Sequence, residues 1–266
     1  MSVNATSGYD LDRYGAEWYD QHETYTDDIE LIRRLIDGRG PLRVLEAFCG
    51  TGRILIPLAQ DGHQITGLDR SKAMLDRARM KIDQMPEEAR RRVSLIEGDV
   101  ITNDWPQGFD LVILGGNCFY ELATPEEQEH CIASASAALN PGGYLYLDNN
   151  HMEGELADDW REPGVRSGSV WTSPDGTRVQ GSRETIWFDA PLKLWKSRQR
   201  KTVTLLDGTA TEHEFIVQKH PVSVLEQQEW LVSHGFLILH LYGDRAGSTY
   251  TPESGRGIFW ARKGAQ

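Results

Sequence analysis

Between residues 43 and 148 the hydrophobic pattern switches repeatedly from short apolar runs to stretches with helical spacing. Residues 43–45, 63–68, 93–97, 109–114 and 144–148 read as strands, the last following the turn Asn140-Pro141-Gly142-Gly143. Residues 54–60, 72–83 and 125–139 read as helices, the second of them N-capped by Ser71. Strands alternating with helices predict βαβ units, hence a doubly wound, mostly parallel sheet covered by helices on both faces. In such a sheet the carboxyl ends of the strands share one edge, and ligands bind in the crevice outside it.

The rhythm breaks after residue 150. Residues 169–171, 179–188, 192–206 and 211–219 read as consecutive strands, with turns at Asp175-Gly176 and Asp207-Gly208, and so predict an antiparallel meander inserted into the α/β fold. A helix over 222–234 and strands over 236–241 and 257–262 follow. The expected organisation is an N-terminal helical lid (1–40), a binding core (41–150), the β insertion (151–220), and a C-terminal helix with the last two core strands (221–266).

Residues Glu46-Ala47-Phe48-Cys49-Gly50-Thr51-Gly52 stand where the first strand turns into the first helix. Glycines there let the backbone approach a ligand at a helix N-terminus with unpaired N–H groups. A dinucleotide fold calls for a third glycine, where Leu55 stands, and Glu46 would repel a pyrophosphate. Asp69 ends the second strand, suited to accept both hydroxyls of a ribose. Asp99, in Glu97-Gly98-Asp99-Val100, ends the third and is placed for an exocyclic amine of adenine. Three acids at the ends of three successive strands lie along one edge of the sheet.

Composition narrows the function. The 266 residues carry a net charge of −12, whereas affinity for nucleic acid rests on neutralising phosphates with lysine and arginine. The one basic run, Arg90-Arg91-Arg92, reads as a solvated helix end. No nucleic-acid partner is therefore expected; no stretch approaches the roughly 20 apolar residues a membrane span needs, so no membrane partner is expected either, and an acidic surface suits a neutral or cationic small molecule. Cys49, Cys118 and Cys131 are sparse and lack C-x-x-C spacing, and His213-Glu214 is followed by Val217 where a zinc motif needs its second histidine. No metal is expected. The start of the sequence lacks the basic and apolar regions of a secretory signal, and a cytoplasmic location is expected.

The segments E-x-x-C-G-T-G-R, G-L-D-x-S-x-x-M-L, E-G-D and L-N-P-G-G-x-L-x-L-D, in this order over about residues 40–150, resemble the motif series of class I S-adenosylmethionine-dependent methyltransferases. The resemblance implies a Rossmann-like fold and S-adenosylmethionine as cofactor. By it, Glu46, Gly50 and Gly52 face the methionine moiety, Asp69 the ribose, Met74 the adenine ring and Asp99 its amino group. Tyr19, Tyr25, Arg53, Arg70, Val100 and Gly115 complete the expected cofactor shell.

Leu114-Gly115-Gly116-Asn117-Cys118-Phe119, the meander, and Gly243-Asp244 with Tyr250-Thr251-Pro252 are similar to the small-amine subgroup, which includes glycine and sugar-amine N-methyltransferases. In that subgroup an aromatic N-terminal segment, here Tyr14, Trp18, Tyr19 and Tyr25, closes over the sulfonium, whose charge aromatic faces favour. The glycine enzyme holds its substrate carboxylate with an arginine after the L-x-L-D strand. Asp148-Asn149-Asn150-His151 has none, so neither glycine nor sarcosine is the expected acceptor. His151 is the expected general base, with Tyr120 and Asn117 beside the acceptor. The acceptor is expected to be a small-molecule amine; a hydroxyl or carboxyl acceptor, or a non-enzymatic S-adenosylmethionine-binding protein, would use the same cofactor site.

Overall fold

The computed structural model describes residues 13–150 and 162–264; His151 lies outside them. Strands β1 (Arg43–Ala47), β2 (Gln64–Asp69), β3 (Val93–Glu97), β4 (Phe109–Leu114) and β5 (Leu139–Asn150) pair in parallel, in the order β3-β2-β1-β4-β5. Two C-terminal strands, β10 (Phe236–Tyr242) and β11 (Arg256–Lys263), extend the sheet beyond β5 in antiparallel fashion. The chain therefore winds away from β1 in both directions, and the crevice of such a sheet opens where the direction reverses, between β1 and β4.

Both faces are covered, which is why these strands are apolar on both sides. Leu45, Val112, Leu114, Leu145 and Leu147 pack beneath α6 (Pro125–Ala138) and α7 (Val224–Ser233), against Cys131, Ile132, Ala135 and Leu231. Val44, Ile65, Leu111, Ile113 and Tyr146 face α2 (Asp27–Ile36), α3 (Leu55–Gln60) and α4 (Lys72–Ile82). Ser71 caps α4 by accepting the Met74 N–H, as its position predicted. The short α5 (Glu87–Arg90) carries the basic run at its end. Gly67 of β2 is required by this packing: a Cβ there would come within 2.6 Å of Leu55 Cδ1 and 2.7 Å of Cys49 Sγ.

One expected turn is absent. Asn140-Pro141-Gly142-Gly143 belongs to β5, which begins at Leu139 opposite Phe109 and slips register before Leu111 pairs with Tyr144. Gly142, at φ 79°, absorbs the bend inside the strand.

The meander is a second sheet of four antiparallel strands: β6 (Gly164–Thr172), β7 (Arg178–Asp189), β8 (Leu194–Thr204) and β9 (Ala210–Lys219). Helix α1 (Arg13–His22) bridges the two sheets. Its Tyr14 and Trp18 pack on Trp171, Val179 and Val203 of the meander, and its Glu17 accepts a hydrogen bond from Ser173. On the other side Asp20 accepts from Arg77 and Lys81 of α4 at 2.7 and 2.8 Å.

A buried ionic chain joins α2 to the end of the main sheet. Asp28, fully buried, takes both arms of Arg53 at 2.8 and 2.6 Å and lies 3.7 Å from Arg245. Arg245 donates to Asp148 at 2.8 Å and to Asp27 at 3.0 Å, and Arg256 donates to the other Asp148 oxygen at 2.8 Å. Tyr25 lies against both the Arg53 and the Arg245 guanidiniums, at 4.0 and 4.2 Å from its ring centre. Removing one member of such a chain strands the opposite charges away from water. Asp28→Ala should therefore lower the unfolding free energy by about 3–5 kcal/mol, read from urea titration, far more than loss of an exposed pair such as Arg33–Asp61.

Candidate active site

The turn after β1 is shaped by left-handed backbone at Phe48 (φ 59°), Gly50 (φ 54°) and Gly52 (φ 79°). At Gly50 a Cβ would meet nothing within 4 Å, so the turn faces open space and its backbone stands bare toward it. Phe48 adopts this conformation without being glycine, and strain of that kind gathers at working sites. The spacing of the two glycines was legible in the sequence; the strained Phe48 carries no signal there.

Two carboxylates flank this turn. Asp69, at the end of β2, accepts the N–H of Gly50 on one oxygen and that of Ser71 on the other, both at 2.8 Å. Those bonds fix its orientation, and each oxygen keeps acceptor capacity. Glu46 sits one residue before the end of β1, opposite Gly67 and Ile113 of the neighbouring strands. It is 4% exposed and its Oε2 has no hydrogen-bond partner among the described residues. Burial pushes the Glu46 carboxyl up to about 8, against the pull of the Arg53 charge.

The third acid is arranged differently. One oxygen of Asp99 caps its own loop, accepting from Ile101 at 2.8 Å and Thr102 at 3.3 Å, while the other lies 3.8 Å from Arg70. Val100, next to Asp99, and Met74 of α4 are buried, and Gly115 packs against Ile54, where a Cβ would approach Cδ1 to 2.7 Å.

Helix α1 is latched to the glycine turn itself. Thr51 donates to Asp20 at 2.6 Å, and Lys81 donates to Thr51 at 3.0 Å. Tyr19 is largely buried beside Arg53, and burial pushes its hydroxyl up to about 12. The Tyr25 and Tyr19 hydroxyls lie 3.6 and 4.0 Å from where a Cβ on Gly116 would stand, so α1 and the loop after β4 converge. Asn117, left-handed at φ 62°, ties that loop down: its side-chain oxygen accepts from Asn150 N–H at 2.9 Å and from Arg256 at 2.8 Å. Tyr120 lies in the single 3-10 turn that follows, Cys118–Glu121.

Beside this edge, between α1 and the meander, lies a cavity of about 500 Å³. Gly15 and Trp18 of α1, Trp171, Val179 and Phe215 of the meander, and Glu121 of the 3-10 turn line it. The Asp20 latch, the Arg245–Asp148–Arg256 chain and the meander face were not singled out from the sequence. Their members come from separate elements, so no local spacing announces them.

The methyltransferase domain family matches residues 44–143, the stretch that holds the turn and all three acids. The chain carries a methyltransferase domain of the class I, S-adenosylmethionine-dependent kind. Glycine N-methyltransferase of Rattus norvegicus is 32% identical to it over 139 residues, which cover 49% of the methyltransferase and 47% of the rat enzyme. Among solved structures, a sugar N-methyltransferase from Streptoalloteichus superposes with a TM-score of 0.71, at 18% identity over 99% of each chain. An S-adenosylmethionine-dependent methyltransferase from Clostridium acetobutylicum gives 0.72, at 15% identity over 94% of this chain and 97% of that one. At these identities the structural likeness is one of fold.

The edge of the methyltransferase fits its cofactor. An orphaned buried carboxylate oxygen at Glu46, an open glycine cradle at Gly50 and a pre-oriented acceptor at Asp69 match a ligand with an ammonium group at one end and a ribose further along. Without ligand Glu46 keeps its proton up to about pH 8, whereas an unfolded glutamate ionises near about 4.3. The folded chain then binds more protons than the unfolded one between those values, so the contribution of Glu46 to stability falls as pH rises through that window. Glu46→Gln should match the wild type in urea midpoint near pH ~4 and exceed it near pH ~8.5, measured on ligand-free protein. A constant difference across that range would contradict the buried, protonated state.

Proposed function

We propose that this methyltransferase transfers a methyl group to the nitrogen of a small molecule held in the cavity between α1 and the meander. The observation that carries the reading is the position of that cavity, which shares α1 and the loop after β4 with the cofactor edge. Likeness to a glycine N-methyltransferase in sequence and to a sugar N-methyltransferase in fold supports nitrogen as the acceptor atom.

S-adenosylmethionine supplies a methyl group already activated on a sulfonium, so the protein's task is alignment and exclusion of water. Asp69 holds the ribose and Glu46 the ammonium group, with the Gly50–Gly52 turn carrying the chain between them. The latch of Asp20 to Thr51 and α4 keeps α1 down over the site, and its Trp18 presents an aromatic wall that tolerates positive charge. Asn117, held by Arg256, fixes the loop that forms the far side. An amine attacks only when neutral, so a base must take its proton; His151, next in sequence after Asn150, is assigned that role, with Tyr120 as the second candidate. The acceptor is a small molecule and not a nucleic acid, in keeping with the net charge of −12.

The test is transfer of isotopically labelled methyl from S-adenosylmethionine to a panel of small amines and matched alcohols, with the labelled atom located by NMR. Label on nitrogen is expected, and His151→Ala should lower turnover by about 10²–10⁴ while leaving S-adenosylhomocysteine affinity unchanged. Label confined to oxygen, or full turnover in His151→Ala, would overturn the acceptor atom or the base respectively.

A further inference from the structure

The cofactor edge carries one acid more than its buried cations balance. In the ionic chain Arg53, Arg245 and Arg256 meet Asp27, Asp28 and Asp148, so every guanidinium already has a carboxylate. Glu46 lies on the same face of the sheet, since its ladder partner Ile113 packs under α2 and α3. Arg53 is the cation that faces it, yet the terminal nitrogens of Arg53 go to both oxygens of Asp28 and to the Tyr25 carbonyl at 3.0 Å. The Arg53 Nε reaches no acceptor, and Glu46 Oε2 reaches no donor.

The other groups around the Glu46 carboxyl supply no positive charge. Asp28 of α2 and Asp69 of β2 are carboxylates as well, and the Leu55 N–H at the start of α3 donates to it. Burial pushes up the hydroxyl of Tyr19 on α1 and the thiols of Cys49 and Cys118, which keeps all three uncharged. An ionised Glu46 would thus be a buried anion beside two others, with one oxygen unbonded. A group at that depth is tolerated when it is paired or neutral.

We propose that Glu46 holds a proton in the empty site and yields it to solvent when the ammonium group of S-adenosylmethionine arrives, so that cofactor capture releases a proton and strengthens as pH rises. The inference rests on the reading of Glu46 as the partner of that ammonium group. The balance is closed: the carboxyl O–H breaks, its proton passes to water, and the carboxylate pairs with an ammonium that keeps its own protons. The ligand brings one positive charge as Glu46 gains one negative charge, so the buried cluster keeps the net charge it had when empty. A carboxyl raised to about 8 by burial retains its proton through the neutral range, in agreement with this. A nucleoside fragment without the amine leaves Glu46 as it was, so the whole cofactor is told from its fragment by charge. The proton returns when S-adenosylhomocysteine leaves.

The test is calorimetric titration of the full chain with S-adenosylhomocysteine, which carries the same ammonium group and no methyl to transfer. At pH ~6.5, in phosphate, PIPES and imidazole buffers, the observed heat should follow the buffer's ionisation enthalpy with a slope of about one proton released. Affinity should rise about tenfold per pH unit between pH ~5.5 and ~7.5 and level off near pH ~8. 5′-Methylthioadenosine, which has the nucleoside and sulfur but no amine, should bind without releasing a proton. Glu46→Gln should bind S-adenosylhomocysteine about tenfold or more weakly at pH ~7.5, with neither proton release nor pH slope. No release by the wild type, with binding still weakened in Glu46→Gln, would overturn the protonated state and leave the ammonium pairing standing. Wild-type affinity in Glu46→Gln would overturn that pairing itself. Equal release with 5′-methylthioadenosine would place the proton on another group and overturn the coupling.

Discussion

The structure depends on a chain of buried charges that runs from α2 through Arg53, Asp28, Arg245 and Asp148 to Arg256. Each guanidinium in it has a carboxylate partner, and each carboxylate but the exposed Asp27 is fully buried, which is the condition under which such groups are tolerated inside a protein. Its consequence is geometric. The segment before β1, the turn after it, the loop after β4 and the last two strands are held to one another at the edge where ligands bind. Asn117 and Tyr25, both expected to touch ligands, are fastened by the same arginines.

On this fixed edge the proposed cofactor groups are prepared at different levels of restraint. Asp69 is oriented by two backbone N–H groups before any ligand arrives. Glu46 is buried and protonated, so ionising it requires a cationic partner to replace the water it lacks. Asp99 spends one oxygen on its own loop. The acids share a sheet edge, yet only the first two face the glycine turn with a prepared carboxylate. Helix α1 then connects chemistry to access, since Asp20 reads the glycine turn through Thr51 while Trp18 walls the neighbouring cavity.

The sequence was most informative where structure is local. The strand–helix rhythm, the Ser71 cap, the glycine turn and the four meander strands each follow from periodicity or turn chemistry within a dozen residues. The slip in β5 was not legible, because Asn140-Pro141-Gly142-Gly143 has the composition of a turn and only pairing with Phe109 makes it a strand. Nor was the ionic chain: Arg245 and Asp148 are 97 positions apart, and a lone arginine in a loop carries no mark of its partner. Arg53 closes the E-x-x-C-G-T-G-R motif, but its pairing with Asp28, 25 positions earlier, could not be read from that spacing.

The central claim is that the edge built by Glu46, Gly50 and Asp69 holds the cofactor with its reactive sulfur turned toward the cavity under α1. A crystal structure with S-adenosylhomocysteine tests it most directly. The account predicts both ribose hydroxyls within hydrogen-bond distance of Asp69, the ligand ammonium group paired with Glu46 Oε2, and the sulfur opening onto the space bounded by Trp18 and Glu121. A ligand bound away from Asp69, or a sulfur separated from that cavity by intact protein, would contradict it.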